Sequence, residues 1–161
     1  IALRLASGRV MVAGLGMGFT TWNMCQKPEV ESVAAVEIDR DIIKLWRRHG
    51  IHHPKLTIIE ADARELECST GVDFLYADIW LTYGTPEAVR DTAEMARNLK
   101  PKRVYFWGQE HQLEAALAAG LPLAGPDEPD YPELTRRAAA SRAVYWTPGF
   151  VVCPGAHSGD E

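Results

Sequence analysis

Val10–Thr20 reads VMVAGLGMGFT, an apolar tetrad that runs into three glycines spaced two apart. The tetrad Val10–Ala13 predicts a buried strand, and Gly14 falls at its carboxyl end, where ligands enter an open α/β sheet. A Cβ at Gly14 is expected to hold ligand and backbone apart. Gly16 and Gly18 permit a tight passage into a short helix, Thr20–Gln26, whose free N–H groups face the bound molecule. A dinucleotide fingerprint wants GxGxxG, with the last glycine allowing close helix packing. Here that place holds Phe19, which is expected to crowd such a crossing, so NAD is the secondary reading.

Outward from this loop the periodicities alternate between strand and helix. SVAAVEID (Ser32–Asp39) predicts a second strand, nearly continuous in apolar residues as in a sheet covered on both faces. Arg40–His49 predicts a helix with Ile42, Ile43, Leu45 and Trp46 toward the sheet. KLTIIEAD (Lys55–Asp62) and VDFLYADIW (Val72–Trp80) predict the third and fourth strands. Thr85 as cap, Pro86 at the first helical position and Glu87 in the first turn open a helix to about Asn98. Arg103–Gly108 is a fifth strand, followed by helix Gln109–Ala119, a Pro-rich loop Pro122–Pro132 and helix Glu133–Arg142. The tail AVYWTPGFVVC predicts two antiparallel edge strands about Pro148-Gly149. The expected fold class is α/β: one three-layer domain, 1–161, with a mostly parallel open sheet and an antiparallel C-terminal edge.

Composition bounds the function. With 47% hydrophobic and 24% charged residues, and no apolar run near the roughly twenty residues of a membrane span, a cytoplasmic globular domain is expected. The net charge of -5 disfavours nucleic acid as the main partner, because phosphate binding draws on clustered Lys and Arg. Cys25, Cys68 and Cys153 include no close pair, which argues against a disulfide framework or structural zinc. His49, His52 and His53 fall in a loop at the edge opposite the glycines, so no metal site is expected there.

Three successive strands end in functional residue types. Glu37 closes the second, and its carboxylate is suited to accept both ribose hydroxyls of an adenosine. Asp39 has a competing role as cap of the next helix. Asp62 closes the third strand, able to accept a bond from an exocyclic amine, and small Ala63 leaves space beside the ring. Glycine, glutamate and aspartate at one sheet edge define a pocket.

VMVAGLGMG, VAAVEID, LTIIEADA and VDFLYADIW together resemble the first four strand-end motifs of the Rossmann-like, class I S-adenosylmethionine-dependent methyltransferases, in wording nearest the spermidine-synthase-like branch. The resemblance spans about residues 8 to 108. It implies that Gly14, Gly16 and Gly18 hold the amino-acid part of S-adenosyl-L-methionine, that Glu37 with Ile38 meets the ribose, and that Asp62 with Ala63 meets adenine. Asp78 matches the acidic position where cofactor and substrate meet. The family often has an acidic residue before the glycine loop, where this chain has Val12-Ala13, and a segment that covers the substrate, where seven residues precede Gly8. The substrate side is therefore open, partly deleted, or completed by a second copy.

Methyl transfer requires an aligned nucleophile and exclusion of water more than a covalent residue. Asp78 is the candidate for orienting the acceptor, although an ordinary carboxylate near pKa 4 is a poor base for an alcohol. Trp80 and Tyr83 are placed to stack on a flat substrate, and Trp80 serves equally as core filler. Trp107, Gln109 and Glu110 end the fifth strand in supporting roles. Cys153 precedes Pro154, the reverse of the cytosine-methylating order, and no adenine-methylating Asp/Asn-Pro-Pro-aromatic motif follows Phe74. A small-molecule acceptor is the expected substrate. The alternatives are aminopropyl transfer, for which Asp78 alone supplies acidity toward a polyamine, and a non-catalytic adenosyl-binding protein.

Overall fold

The computed structural model describes residues 2–49, 52–67, 71–82 and 86–109. In chain order these form α1 (Ala2–Leu5), β1 (Gly8–Ala13), α2 (Phe19–Cys25), β2 (Val30–Glu37), α3 (Arg40–His49), β3 (Leu56–Glu60), β4 (Phe74–Ala77), α4 (Pro86–Leu99) and β5 (Arg103–Phe106). Thr85, Tyr83 and Glu110 lie outside the described residues. So do the expected helix beyond Gln109, the 122–132 loop, helix 133–142 and the antiparallel edge. Among the described residues no helix is long and apolar enough to cross a membrane.

The strands form one sheet in the order β3-β2-β1-β4-β5, and every pairing is parallel. β1 and β4 occupy its middle, so Val10–Ala13 and Phe74–Ala77 are buried on both faces. That is the physical reason for their unbroken apolar runs. β3 lies at the edge and is only partly covered, with Thr57 and Glu60 exposed. The expected fourth strand contracts to its four central residues, and Asp78–Trp80 become loop beyond the last ladder pair, Ala77 with Phe106.

Helices cover both faces. On one face, Ala88, Met95, Ala96 and Leu99 of α4 pack against Met11, Leu75, Val104 and Phe106. On the other, Met24 and Cys25 of α2 and Trp46 of α3 pack against Val12, Val33, Phe74 and Tyr105. Burying a side chain such as Phe74, Ile43 or Met95 contributes about 1.5–3 kcal/mol. The stripe on α3 is narrower than expected: Ile43 and Trp46 are buried, whereas Leu45 is about half exposed. Asp39 Oδ1 accepts the Asp41 N–H at 2.8 Å and caps α3. α4 ends at Lys100, whose left-handed backbone (φ 47°) lets its N–H bond the Ala96 carbonyl before Pro101.

The strand ends are level. Gly14 N–H donates to Val36 O, Asp78 N–H to Ala13 O, Ala61 N–H to Glu37 O and Trp107 N–H to Ala77 O, at 2.8 to 3.1 Å. Strand order reverses between β1 and β4, which puts the switch point of the sheet under the glycine loop.

Candidate functional site

Two cavities meet at this switch point. One, of about 350 Å³, is bordered by Gly14–Thr21 with Tyr76, Asp78 and Trp80. The other, of about 550 Å³, is bordered by Glu37, Ile38, Asp62, Ala63 and the first turns of α4, and it shares Gly14, Gly16, Asp78 and Trp80 with the first. Gly14, Gly16, Gly18, Glu37, Ile38, Asp62, Ala63, Asp78 and Trp80 each border one or both. Gly18 borders only the smaller.

The glycines serve three different ends. A Cβ at Gly14 would overlap the carbonyl oxygen of Asp78 just beyond the neighbouring strand, so packing by itself requires this glycine. A Cβ at Gly18 would fall within the indole of Trp46. At Gly16, nothing lies within 4 Å of the Cβ position, and the missing side chain leaves open space. Phe19 does not crowd a helix crossing: its side chain is 73% exposed. The close approach occurs one residue earlier, between Gly18 and Trp46.

Glu37 is buried, and its carboxylate already accepts three backbone N–H groups at 2.9 Å: Leu15 to Oε2, Ile38 and Asp39 to Oε1. It ties the glycine loop to the end of β2. A carboxylate has about four acceptor positions, so roughly one remains. Asp62 is forked by its near neighbour Arg64, with Nε on Oδ1 at 3.0 Å and Nη2 on Oδ2 at 2.5 Å. That guanidinium holds the Asp62 carboxyl below the usual carboxylate range. Ala63 is buried and also borders the larger cavity.

Among the described residues Asp78 has one side-chain partner, the Tyr76 hydroxyl, which donates to Oδ2 at 2.9 Å. Burial raises the Asp78 pKa above the ordinary carboxylate value, against the opposing effect of that hydrogen bond. Burial, with the Asp78 charge, also pushes the Tyr76 phenol up. Trp80 is held in the protein and faces open space. It packs edge-on against Phe106 (centroids 6.2 Å apart), borders both cavities, and donates its indole N–H to Asp91 Oδ2 at 3.1 Å.

No protein-family model matches this chain, and no curated protein matches it. Solved structures do. The chain superimposes on the 23S rRNA methyltransferase ErmE with a TM-score of 0.50 at 22% identity, over 65% of this chain and 43% of that one. It superimposes on PH1948 from Pyrococcus horikoshii with a TM-score of 0.51 at 21% identity, over 65% and 54%. The N-methyltransferase NodS from Bradyrhizobium japonicum WM9 gives a TM-score of 0.50 at 15% identity, over 66% and 69%. The fold is that of the class I methyltransferases. The chain spans about half the length of the first two structures it matches.

On this methyltransferase fold, several cavity residues escape a reading of strand ends. Asp91, only 5% exposed, sits in the buried stripe of α4 with Ala88, Thr92, Met95, Ala96 and Leu99. A charge at helical spacing within an apolar stripe was its signal. Arg90 bonds Asp91 Oδ1 through Nε and Nη2 at 3.2 and 3.1 Å. Tyr76 could be found from period two, because it shares a sheet face with Asp78. Five exposed large apolar side chains, Met17, Phe19, Ile38, Ile79 and Leu81, border the two cavities. Such a rim suits a ligand with a flat apolar part. The histidines stand elsewhere: His52 and His53 border a separate cavity beside α3, and His53 Nδ1 accepts the Lys55 N–H at 3.1 Å. Among the described residues no three His, Cys, Asp or Glu side chains gather to hold a metal ion. Trp107 packs partly into the core, and buried Gln109 accepts the Phe106 N–H at 3.2 Å.

Proposed function

We propose that this domain binds S-adenosyl-L-methionine across the switch point and transfers its methyl group to a small-molecule acceptor. The reading is carried by Gly16, whose missing side chain opens onto cavities edged by Glu37, Asp62 and Asp78 at three level strand ends. The residues fit the cofactor in size and charge. About 550 Å³ lies within the range of sites that enclose small ligands. Asp78, half-buried and with no cationic partner among the described residues, suits a cationic neighbour. When bound, the cofactor supplies an electrophilic methyl carbon on a sulfonium.

Gly14, Gly16 and Gly18 shape the loop against the amino-acid part. Glu37 offers its remaining acceptor position to the ribose, beside Ile38, and Asp62 with Ala63 faces the adenine. Asp78 orients the acceptor, and its raised pKa makes it a better proton acceptor than a solvent-exposed carboxylate. Trp80, held by Asp91, offers a fixed aromatic wall that displaces water.

A second reading has an observation in its favour. Asp78 is not the only carboxylate for a polyamine, because α4 brings Glu87 and Asp91 to the larger cavity. Aminopropyl transfer would use the decarboxylated cofactor. Calorimetric titration with S-adenosylhomocysteine, decarboxylated S-adenosylmethionine and NAD separates the readings. Tightest binding of S-adenosylhomocysteine is expected; preference for the decarboxylated cofactor selects aminopropyl transfer, and preference for NAD overturns both.

A further inference from the structure

We propose that Trp46, on α3 and outside the residues assigned to ligand contact, is a positioning residue that orients the Gly16–Met17 peptide of the glycine loop toward the ligand. The inference rests on the reading of that loop as the holder of the cofactor's amino-acid part. The Trp46 indole is buried, and its N–H donates to the Gly16 carbonyl at 3.2 Å. Its benzo ring fills the space that a Gly18 side chain would need. One side chain therefore holds the loop at two points, Gly16 by a hydrogen bond and Gly18 by contact.

The consequence follows from peptide geometry. In a planar trans peptide the C=O and the following N–H point in opposite directions. Turning the Gly16 C=O toward α3 turns the Met17 N–H away from it. That N–H has no acceptor among the described residues, and Met17 borders the smaller cavity with its side chain 87% exposed. The Glu37 carboxylate fixes the preceding Leu15 N–H, and the Gly18 N–H returns to the Leu15 carbonyl at 2.9 Å. The Leu15 and Gly18 N–H groups are thus tethered, the Gly16 and Met17 N–H groups are left for a ligand among the described residues, and the Met17 N–H is the one whose direction the Trp46 bond sets. An anionic acceptor, the carboxylate of the cofactor's amino-acid part, is the group that it would hold.

Trp46→Phe removes the indole N–H and the outer ring while leaving an aromatic side chain in the core. S-Adenosylhomocysteine, which carries the carboxylate, is expected to bind about tenfold more weakly to this variant, the loss of one hydrogen bond to a charged group. Decarboxylated S-adenosylmethionine, which lacks it, should change by less than about twofold on the same scale. Hydrogen exchange at the Gly18 amide, which is bonded to the Leu15 carbonyl, should quicken in the ligand-free variant as the loop loosens, while β1 amides stay protected. Met17→Pro deletes the donor without touching α3, and is expected to reproduce the selective loss if Trp46→Phe proves unstable. Equal weakening of both ligands, or no weakening of either, overturns the inference. If the wild-type protein binds neither ligand, the cofactor reading fails, and unchanged Gly18 exchange in Trp46→Phe then overturns the positioning role on its own.

Discussion

Asp73 and Asp78 flank the same short strand, β4, and stand at opposite edges of the sheet. At the amino edge, Asp73 accepts the Arg9 N–H at 2.8 Å and meets the Arg9 Nε and the Lys102 Nζ at 3.4 and 2.7 Å. These partners hold its carboxyl well below the usual carboxylate range. At the carboxyl edge, Asp78 has a single phenol and a raised pKa. The glycines repeat the contrast: a Cβ at Gly8 would strike the Asp73 carboxylate, whereas one at Gly16 would meet nothing. One edge closes its polar groups upon each other, and the other leaves them turned to open space. Strand geometry is the same at both, so the difference comes from what the loops place there.

Glu37 and Asp62 are the exceptions to this contrast: both stand at the open edge with occupied carboxylates, Asp62 held by Arg64 and Glu37 by three backbone N–H groups. Glu37→Ala is expected to cost about 3 kcal/mol of folding stability, since three N–H groups lose a charged acceptor. An unchanged midpoint in urea unfolding would show that the glycine loop does not depend on it. Asp73→Asn should cost less, about 1–2 kcal/mol at neutral pH, because its cationic partners are partly exposed. The folded pKa lies below the unfolded value, so this stabilisation is present above about pH 4 and disappears as pH falls through the lowered folded value. Urea unfolding followed from about pH 7 down to about pH 2 should therefore show the gap between wild type and variant narrowing in acid. Divergence there would break the contrast at the closed edge.

Asp78→Asn is expected to have the smallest effect on stability, and the opposite sign. Its folded pKa lies above the unfolded value, so folding disfavours the ionised form, and stability falls as pH rises from about 4 through the raised value. At neutral pH the variant should be slightly more stable, by about 0.5 kcal/mol, while turnover on the acceptor declines. Stability gained with turnover lost would mark a residue kept for function. Unchanged turnover removes Asp78 from the mechanism.

Periodicity made the central strands legible because β1 and β4 are buried on both faces, and their runs carry no polar interruption. The edge strand β3 and the end of β4 were less sharply bounded, since termini depend on the last ladder partner and not on residue type. At the site, the identities Gly14, Glu37, Asp62 and Asp78 could be read from strand-end positions. Their partners could not. Arg64 beside Asp62 is near in sequence, but Asp91 beneath Trp80 and Trp46 beneath Gly18 arrive from helices packed on opposite faces of the sheet.

The sequence by itself determined the alternation of strand and helix, the positive-φ glycine turn after β1, and a row of acidic residues after β2, β3 and β4. These are local properties, set by side-chain periodicity and by backbone conformations that only certain residues adopt readily. Only the tertiary structure decided why each glycine is needed, and how much of each carboxylate is left for a ligand. Gly14 is required by the Asp78 carbonyl in the loop just past β4, and Gly18 by the Trp46 indole on α3. Free acceptor capacity depends on which N–H groups, from the following turn or from another loop, the fold brings within 3 Å of an oxygen. That is why Glu37 and Asp78, alike at the end of a strand, emerge as a loop anchor and an open carboxylate.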